Sequence, residues 1–279
     1  MKGSVVCVAD TGPQFRAQVE RWYACLTRLA GVQPRDLLTV FAGASSPPAW
    51  VLPMCEAGMR AEVANTFDLR SPHCNKIEGL RIALQGEAGS VVLSDCDVAF
   101  LKDPREFPHG VNAIAGKPVD RANPPTRIIT STLQEAGLPN PRQVRLTGRP
   151  WRRTYTGNFN GGVLVFGGGI APALAERWAW RAQWLLNRSG LLEKWAIHVD
   201  QISLFLAIIE ERAEIIPLSE THNCPTHLKA LFMSAPPAAL HYHGQVDRNG
   251  ALLLCGNSLI DRQIVAVNQV FLEARADGG

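Results

Sequence analysis

The N-terminal part of the chain alternates between strand-like and helix-like patterns, and this constrains the fold more than any other feature. Residues 4–8 and 37–42 are short apolar runs. Residues 14–29 lie between them and place apolar side chains on one side at helical spacing. Strand–helix–strand units of this kind favour a parallel sheet that is covered by helices. The opening therefore predicts an α/β fold with a mostly parallel, Rossmann-like central sheet flanked by helices.

The rest of the chain continues this pattern. Further strands are expected at residues 90–93 and 162–166, and residues 45–53, which are rich in proline and serine, are expected to form a loop. Helices are expected at residues 75–88, 173–186, 195–209 and 258–274. The chain shows neither an internal repeat nor a clean linker, so its 279 residues predict a single domain over residues 1–279.

Composition narrows the class of protein. Hydrophobic residues make up 46% and charged residues 19%, which excludes general disorder and a coiled coil. A net charge of +3 is only mildly basic, so we expect no nucleic-acid partner. Seven cysteines without a CxxC pair indicate reduced thiols in an intracellular protein. Without a signal-peptide pattern or a membrane-length apolar run, a soluble cytoplasmic protein is expected, with peripheral membrane contact left open.

Residues 103–157 differ from the rest because they are rich in proline and poor in periodicity. We interpret them as a long basic insertion in the domain. Between Arg121 and Arg153 the chain holds seven arginines and one acid, Glu135. A segment of this length in a compact domain is usually functional, although a solvated basic loop is an equally good interpretation.

A pair of carboxylates, Asp95 and Asp97, flanks one residue directly after the apolar strand expected at residues 90–93. Ligands of open α/β sheets bind beyond the carboxyl ends of the strands. Two carboxylates at such a place repel each other, and a divalent cation removes that conflict. The triplet therefore suggests a site for Mn²⁺ or Mg²⁺, with an ordinary acidic turn as the alternative.

Three more motifs carry polar groups suited to a binding site. Residues 241–244 read His-Tyr-His-Gly, and a histidine beside carboxylates would favour Mn²⁺ over Mg²⁺, although a surface histidine pair is the alternative. Residues 158–162 read Asn-Phe-Asn-Gly-Gly, where glycines let a ligand approach and amides can bind hydroxyl groups. Asp200 and Gln201 open an apolar helical stretch, either as an ordinary helix start or as groups that orient hydroxyls.

Taken in this order, the motifs SVVLSDCD, FNGGVLVF, VDQ and HYHG resemble the retaining GT-A glycosyltransferases, the group of glycogenin and the bacterial lipooligosaccharide galactosyltransferases. The resemblance covers roughly residues 5–250. It implies a metal-dependent transfer of a sugar from a nucleotide-diphosphate donor, usually a UDP-sugar, with retention of configuration.

The resemblance also implies a role for individual residues. The cation would be held by Asp95, Asp97 and His241, because His241 rather than His243 matches the family's pattern. Catalytic groups at the sugar would be Asp200 and Gln201. The donor would be bound by Ala9, Asp10, Lys76, Asp95, Asn160, Gly161, Gly244 and Arg248. Residues 245–248 depart from the family, since Gln-Val-Asp-Arg replaces its Lys-Pro-Trp segment and Arg248 would have to replace the lysine.

Other functions and the acceptor remain open at this point. A sugar-phosphate nucleotidyltransferase would share the sheet and the carboxylates, but it would carry a glycine-rich basic loop where residues 10–13 read Asp-Thr-Gly-Pro. A non-catalytic sugar-binding or zinc-binding module is the other alternative, with His222, Cys224 and His227 as candidate zinc ligands. The excess arginine of residues 121–153 suggests an acceptor that is anionic or carried on a phosphate.

Overall fold

The structure is a computed structural model that describes residues 3–86, 89–146, 151–228 and 233–277. Its strands are β1 (Ser4–Ala9), β2 (Leu37–Ala42), β3 (Arg60–Ala64), β4 (Ser90–Ser94), β5 (Val98–Phe100), β6 (Ala113–Pro118), β7 (Gln143–Arg145), β8 (Arg153–Tyr155), β9 (Phe159–Gly167), β10 (Glu214–Pro217), β11 (Cys224–Pro225) and β12 (Ala239–His241). Its α-helices are α1 (Pro13–Ala24), α2 (Leu52–Glu56), α3 (Asn75–Leu84), α4 (Thr126–Glu135), α5 (Ala171–Leu186), α6 (Val199–Glu210) and α7 (Ser258–Asp277).

Seven strands form the central sheet in the order β10-β6-β9-β4-β1-β2-β3. Neighbouring strands pair in parallel except at β9, which runs antiparallel to both β4 and β6. Smaller sheets are formed by β11, β12 and β5, and by the hairpin of β7 and β8. The predicted α/β fold with a mostly parallel central sheet is therefore confirmed.

Helices cover both faces of this sheet, because the buried strands are apolar on both sides. One buried cluster joins the sheet to α3, α5 and α6, and it includes Leu80, Leu174 and Phe205. The cluster on the other face includes Val19 and Trp22 of α1. Among the residues that the structure describes, no helix combines the length and the apolar character needed to cross a membrane.

The predicted helices are present, with shifted ends. The helix expected at residues 75–88 ends at Leu84, and residues 87–88 lie outside the described part of the chain. The helix expected at residues 195–209 is divided into a 3₁₀ segment, Ser189–His198, and α6. This division places Asp200 in the first turn of α6 rather than inside a longer helix.

Two expectations of irregular chain are wrong. The loop expected at residues 45–53 contains a 3₁₀ turn, Ala49–Val51, and the start of α2. The insertion at residues 103–157 contains a strand of the central sheet, β6, as well as α4 and the hairpin of β7 and β8. Strand β6 reads AIAGKP, whose alanines, glycine and proline have low strand propensity, and its pairing with β9 and β10 decides its conformation instead.

A buried arginine joins α1 to the C-terminal part of the chain. Arg21 is 1% exposed, and its guanidinium lies 4.9 Å from the ring centre of Tyr242 and 4.2 Å from that of Phe271 on α7. It donates to the hydroxyl of Tyr242 over 2.8 Å and to the carbonyl of Gly250. Arg21 therefore holds the segment that follows β12 against α1 and α7.

We expect Arg21→Ala to lower the free energy of unfolding by about 3 kcal/mol, because it leaves a cavity and deprives the buried hydroxyl of Tyr242 of its donor. Urea denaturation measures the effect. The matched control is Arg16→Ala on the same helix, whose exposed pair with Glu20 stabilises by about 0.5 kcal/mol at most. Equal losses for the two variants would contradict the anchoring role of Arg21.

Candidate functional site

A cleft of about 470 Å³ opens at the carboxyl ends of β1 and β4. This is the edge at which open α/β sheets bind their ligands. Among the residues predicted for the site, the cleft is lined by Ala9, Asp10, Lys76, Asp95, Asp97, Asn160, Gly161, Asp200, Gln201 and His241. The structure thus brings together side chains that lie far apart in the sequence.

The ammonium of Lys76 lies between two of the carboxylates. Its Nζ is 2.5 Å from Oδ1 of Asp95 and 4.0 Å from Oδ2 of Asp200, and it donates to the carbonyl of Gly161 over 3.2 Å. Burial alone would lower the pKa of Lys76, but the charges of Asp95 and Asp200 outweigh it and raise that pKa above its ordinary value. Lys76 therefore carries a positive charge in the cleft at any physiological pH.

His241 ends β12 and faces both members of the carboxylate pair. The side chain of His241 is 4% exposed, and its Nε2 lies 3.3 Å from Oδ1 of Asp97 and 3.7 Å from Oδ2 of Asp95. Burial would raise the pKa of Asp97, but the charge and hydrogen bond of His241 outweigh it and lower that pKa to about 2. Asp97 is therefore an ionised carboxylate at neutral pH, as a metal ligand must be.

A second histidine, His243, joins this group. The atoms of Asp97, His241 and His243 that could bind a metal ion all lie within 4.8 Å of one another. The centres of the two imidazole rings are 3.6 Å apart. Desolvation of its ring and the charge of His241 lower the pKa of His243 to about 3, so its imidazole is neutral and has a free electron pair. The family pattern selects His241 alone and therefore gives no signal for His243, whose approach depends on a backbone with a φ of 44°.

Asp200 enters the cleft from the first turn of α6. Asp200 is 6% exposed, and its backbone carbonyl accepts a hydrogen bond of 2.9 Å from the indole of Trp178. Gln201 follows it and lines the same cleft. The helix start that the sequence predicts at this point therefore also supplies two polar groups to the cleft.

Two glycines at the start of β9 leave room for the site. A methyl group on Gly162 would overlap the ring of His241, whereas one on Gly161 would lie 3.0 Å from Nζ of Lys76. The carbonyl of Gly162 also accepts a hydrogen bond of 3.0 Å from the amide of Asp95. Side chains are therefore excluded where β9 passes the histidine.

Some predicted residues lie apart from the cleft. Gly244 and Arg248 belong to the exposed chain after β12 and do not line it. Asn160 does line it, but its side chain is bound by Asp120 and Asn223, two residues that no motif indicates. The contacts of Asp120 and Asn223 with Asn160 depend on the pairing of strands that are distant in the sequence, so local sequence patterns do not predict them.

The zinc site considered above does not form. The ring of His222 packs on Phe107 and that of His227 on His243, while Cys224 is buried. Burial raises the pKa of the Cys224 thiol to about 12, which disfavours a metal-binding thiolate. Among the described residues these three side chains do not appear in a group of converging metal ligands.

We expect Gly162→Ala to lower the free energy of unfolding by about 1–3 kcal/mol, because the buried ring of His241 must move away from the added methyl group. The matched variant is Gly161→Ala, whose methyl group comes closest to the flexible end of Lys76, at 3.0 Å, and meets Asp200 and Gln201 only at an ordinary contact distance of 3.9 Å. Urea denaturation of both proteins measures the difference. A loss for Gly161→Ala as large as that for Gly162→Ala would show that His241 does not limit the space.

No protein-family model and no curated protein matches this sequence. Among solved structures, the galactosyltransferase LgtC with donor and acceptor sugar analogues has a TM-score of 0.60 at 13% identity, over 95% of each chain. Mouse xyloside xylosyltransferase 1 has a TM-score of 0.54 at 12% identity, over 88% of this chain and 99% of that one. The glycosyltransferase GlyE of Streptococcus pneumoniae TIGR4 has a TM-score of 0.56 at 14% identity, over 100% and 64%. The chain therefore has the fold of the GT-A glycosyltransferases.

Proposed function

We propose that this chain is a metal-dependent glycosyltransferase that moves a sugar from a nucleotide-diphosphate donor, taken as a UDP-sugar, to an acceptor with retention of configuration. One observation carries the proposal: Asp95, Asp97 and His241 meet Asp200 in one cleft at the ligand-binding edge of a GT-A fold. The solved structures of this fold are named as glycosyltransferases, which supports the same reaction class.

The donor set of the cleft fits a divalent cation. Asp97 offers a carboxylate oxygen, and His241 and His243 offer ring nitrogens within 4.8 Å of it and of each other. Asp95 approaches the same ring nitrogen as Asp97, with its Oδ2 3.7 Å from Nε2 of His241. Imidazole nitrogens beside carboxylates suit Mn²⁺ better than Mg²⁺, so we propose Mn²⁺ as the preferred ion, with Mg²⁺ as the weaker one.

The donor would lie along the cleft from β1 to α6. We propose that Ala9 and Asp10 contact the base at the end of β1, and that Lys76 faces the diphosphate. Asn160 and Gly161 would lie beside the donor sugar. Gly244 and Arg248 would reach the donor from the chain that follows His241, where Gly244 has a φ of 72°.

The chemistry follows from charge and position. A bound divalent cation would supply a Lewis acid for the negative charge that develops on the leaving diphosphate. Lys76 stays protonated and stabilises the same charge. Asp200 and Gln201 would orient the donor sugar, so that the acceptor hydroxyl attacks on the face of the departing phosphate. That phosphate oxygen then accepts the proton of the hydroxyl, which needs no separate protein base.

The nucleotidyltransferase alternative gains no support from the structure. Strand β1 ends at Ala9 and α1 begins at Pro13, which leaves Asp10, Thr11 and Gly12 between them. Three residues with no lysine or arginine cannot form the glycine-rich basic loop that such an enzyme would need there.

We expect Asp97→Asn to lower kcat/KM for sugar transfer by about 100-fold or more, because the cleft loses a cation ligand and the charge that goes with it. The measurement is transfer from a panel of UDP-sugars with Mn²⁺, followed by NMR of the anomeric proton of the product. Retention predicts an α-linked product from an α-linked donor.

The control for this variant is Asp36→Asn, which removes a carboxylate that precedes β2 at the opposite edge of the sheet. We expect it to transfer sugar like the unaltered protein. Undiminished transfer after complete metal removal would overturn the metal dependence. A β-linked product from an α-linked donor would overturn the retaining mechanism and leave the metal site standing.

The basic segment supports an anionic acceptor. Arg145 on β7 and Arg153 on β8 lie directly opposite each other and are both exposed. Like charges in that position destabilise a hairpin, so an anion bound between them would be favoured. Arg149 lies outside the described residues, and no described residue of the segment lines the cleft itself. We propose that this hairpin attracts an acceptor that is anionic or phosphate-linked.

We expect Arg145→Gln with Arg153→Gln to raise the acceptor KM and to leave hydrolysis of the donor unchanged, because only the acceptor meets these charges. The double variant should also flatten the salt dependence of transfer. Steady-state kinetics at several ionic strengths provide the measurement. Arg127→Gln is the matched control, since the guanidinium of Arg127 is paired with Glu193 at 3.0 Å. Unchanged KM and salt dependence in the double variant would leave the segment as a solvated surface.

A further inference from the structure

A continuous chain of hydrogen bonds runs through the protein interior to His241. Its far end is Lys117 on β6, which is fully buried and contacts the carboxylate of Asp120 and, at 3.3 Å, that of Glu220. Asp120 then accepts a hydrogen bond of 2.9 Å from the amide nitrogen of Asn160. The chain continues from Asn160 through Asn223 to His241.

The direction of the Asn160 amide is fixed at both of its ends. The ionised carboxylate of Asp120, held by buried Lys117, can only accept, so the group that faces it must be the NH₂ of Asn160. The other end faces the backbone N–H of Gly162 at 2.9 Å, which can only donate, so that end must be the oxygen. Two independent neighbours therefore require the same orientation.

The same logic fixes Asn223, which is fully buried. The side-chain amide of Asn223 lies 3.2 Å from the amide oxygen of Asn160. Because an amide oxygen can only accept, the group of Asn223 that faces Asn160 must be its NH₂. The oxygen of Asn223 then faces Nδ1 of His241 at 3.1 Å. Because that oxygen can only accept, Nδ1 of His241 must carry a proton.

The consequence reaches the cleft. In a neutral imidazole with the proton on Nδ1, the free electron pair is on Nε2, the atom that lies 3.3 Å from Asp97 and 3.7 Å from Asp95. In that neutral ring, one electron pair faces two carboxylates with no proton between them. The arrangement is satisfied either by protonation of Nε2, which then donates to Asp97, or by a bound cation.

We propose that Lys117, Asp120, Asn160 and Asn223 are positioning residues that fix His241 as its Nδ1–H tautomer and so keep Nε2 available to a metal ion. Partners of this kind orient metal-ligating histidines and raise their basicity. The role in metal binding rests on the function proposed above, whereas the tautomer itself does not. Asn160 acts here through its neighbours, and the second N–H of its amide is left for the donor sugar.

The tautomer can be observed without metal, donor or acceptor. We would label the ring nitrogens of the full-length protein with ¹⁵N and record long-range ¹H–¹⁵N correlations at an alkaline pH where their shifts show neutral rings. Loss of one signal set in His241→Ala assigns His241. The expected result is a single Nδ1–H tautomer. An Nε2–H tautomer, or an even mixture of the two, would overturn the proposal.

Two variants at Asn223 separate positioning from packing. Asn223→Leu keeps a similar volume but removes the acceptor, so we expect the Nε2–H tautomer to appear and Mn²⁺ affinity, measured by titration calorimetry, to fall by about 10- to 100-fold. Asn223→Asp keeps an acceptor for Nδ1–H, and we expect it to retain the wild-type tautomer. Equal effects of the two variants on tautomer and affinity would mean that Asn223 only fills space.

The end of the hydrogen-bond chain that is farthest from His241 gives the strictest test. Asp120 does not touch His241 in this chain of contacts. Because an asparagine can donate as well as accept, Asp120→Asn removes one of the two groups that orient the Asn160 amide and leaves only the N–H of Gly162 to hold it. We expect a mixture of His241 tautomers in this variant and none in Asp36→Asn, the control used above. An unchanged tautomer in Asp120→Asn would overturn the role of Lys117 and Asp120. A wild-type Nδ1–H tautomer in a protein that binds no Mn²⁺ would refute the proposed function and not the hydrogen-bond chain.

Discussion

One ammonium group, that of Lys76, makes the crowded cleft possible. It contacts Asp95 at 2.5 Å and lies 4.0 Å from Asp200, two carboxylates brought together from different elements. Unpaired carboxylates at such distances would repel each other or take up protons. Because Lys76 stands at the start of α3, the packing of that helix on the sheet fixes where the charge is placed. The cleft thus depends on a core contact as much as on its own polar groups.

The reversed direction of β9 is the second condition for the site. Its neighbours β4 and β6 run the opposite way, so the first residues of β9 lie beside the last residues of β4. Gly161 and Gly162 therefore reach the same edge of the sheet as Asp95, and the amide of Asp95 binds the carbonyl of Gly162. A parallel strand in this position would have carried them to the opposite edge.

Local patterns predicted the parts of this molecule that are decided locally. Strand β4 and the carboxylates after it are contiguous in sequence, and so are Asp200 and the helix that it opens. Strand β6 was not predicted, because its short sequence has little strand propensity and its pairing with β9 and β10 decides its conformation. Asn223 was not predicted for a related reason. It becomes a hydrogen-bond partner of His241 only when β11 pairs with β12.

The charges of the cleft determine how its ligands must enter. Asp10, Asp95, Asp97 and Asp200 line it, and among the described lining residues Lys76 is the only lysine or arginine. A donor with a diphosphate adds further negative charge, so the metal-free cleft repels it and a divalent cation removes that repulsion. On the proposed function, cation and donor therefore bind cooperatively. By thermodynamic linkage, the donor must tighten the cation by the same factor by which the cation tightens the donor.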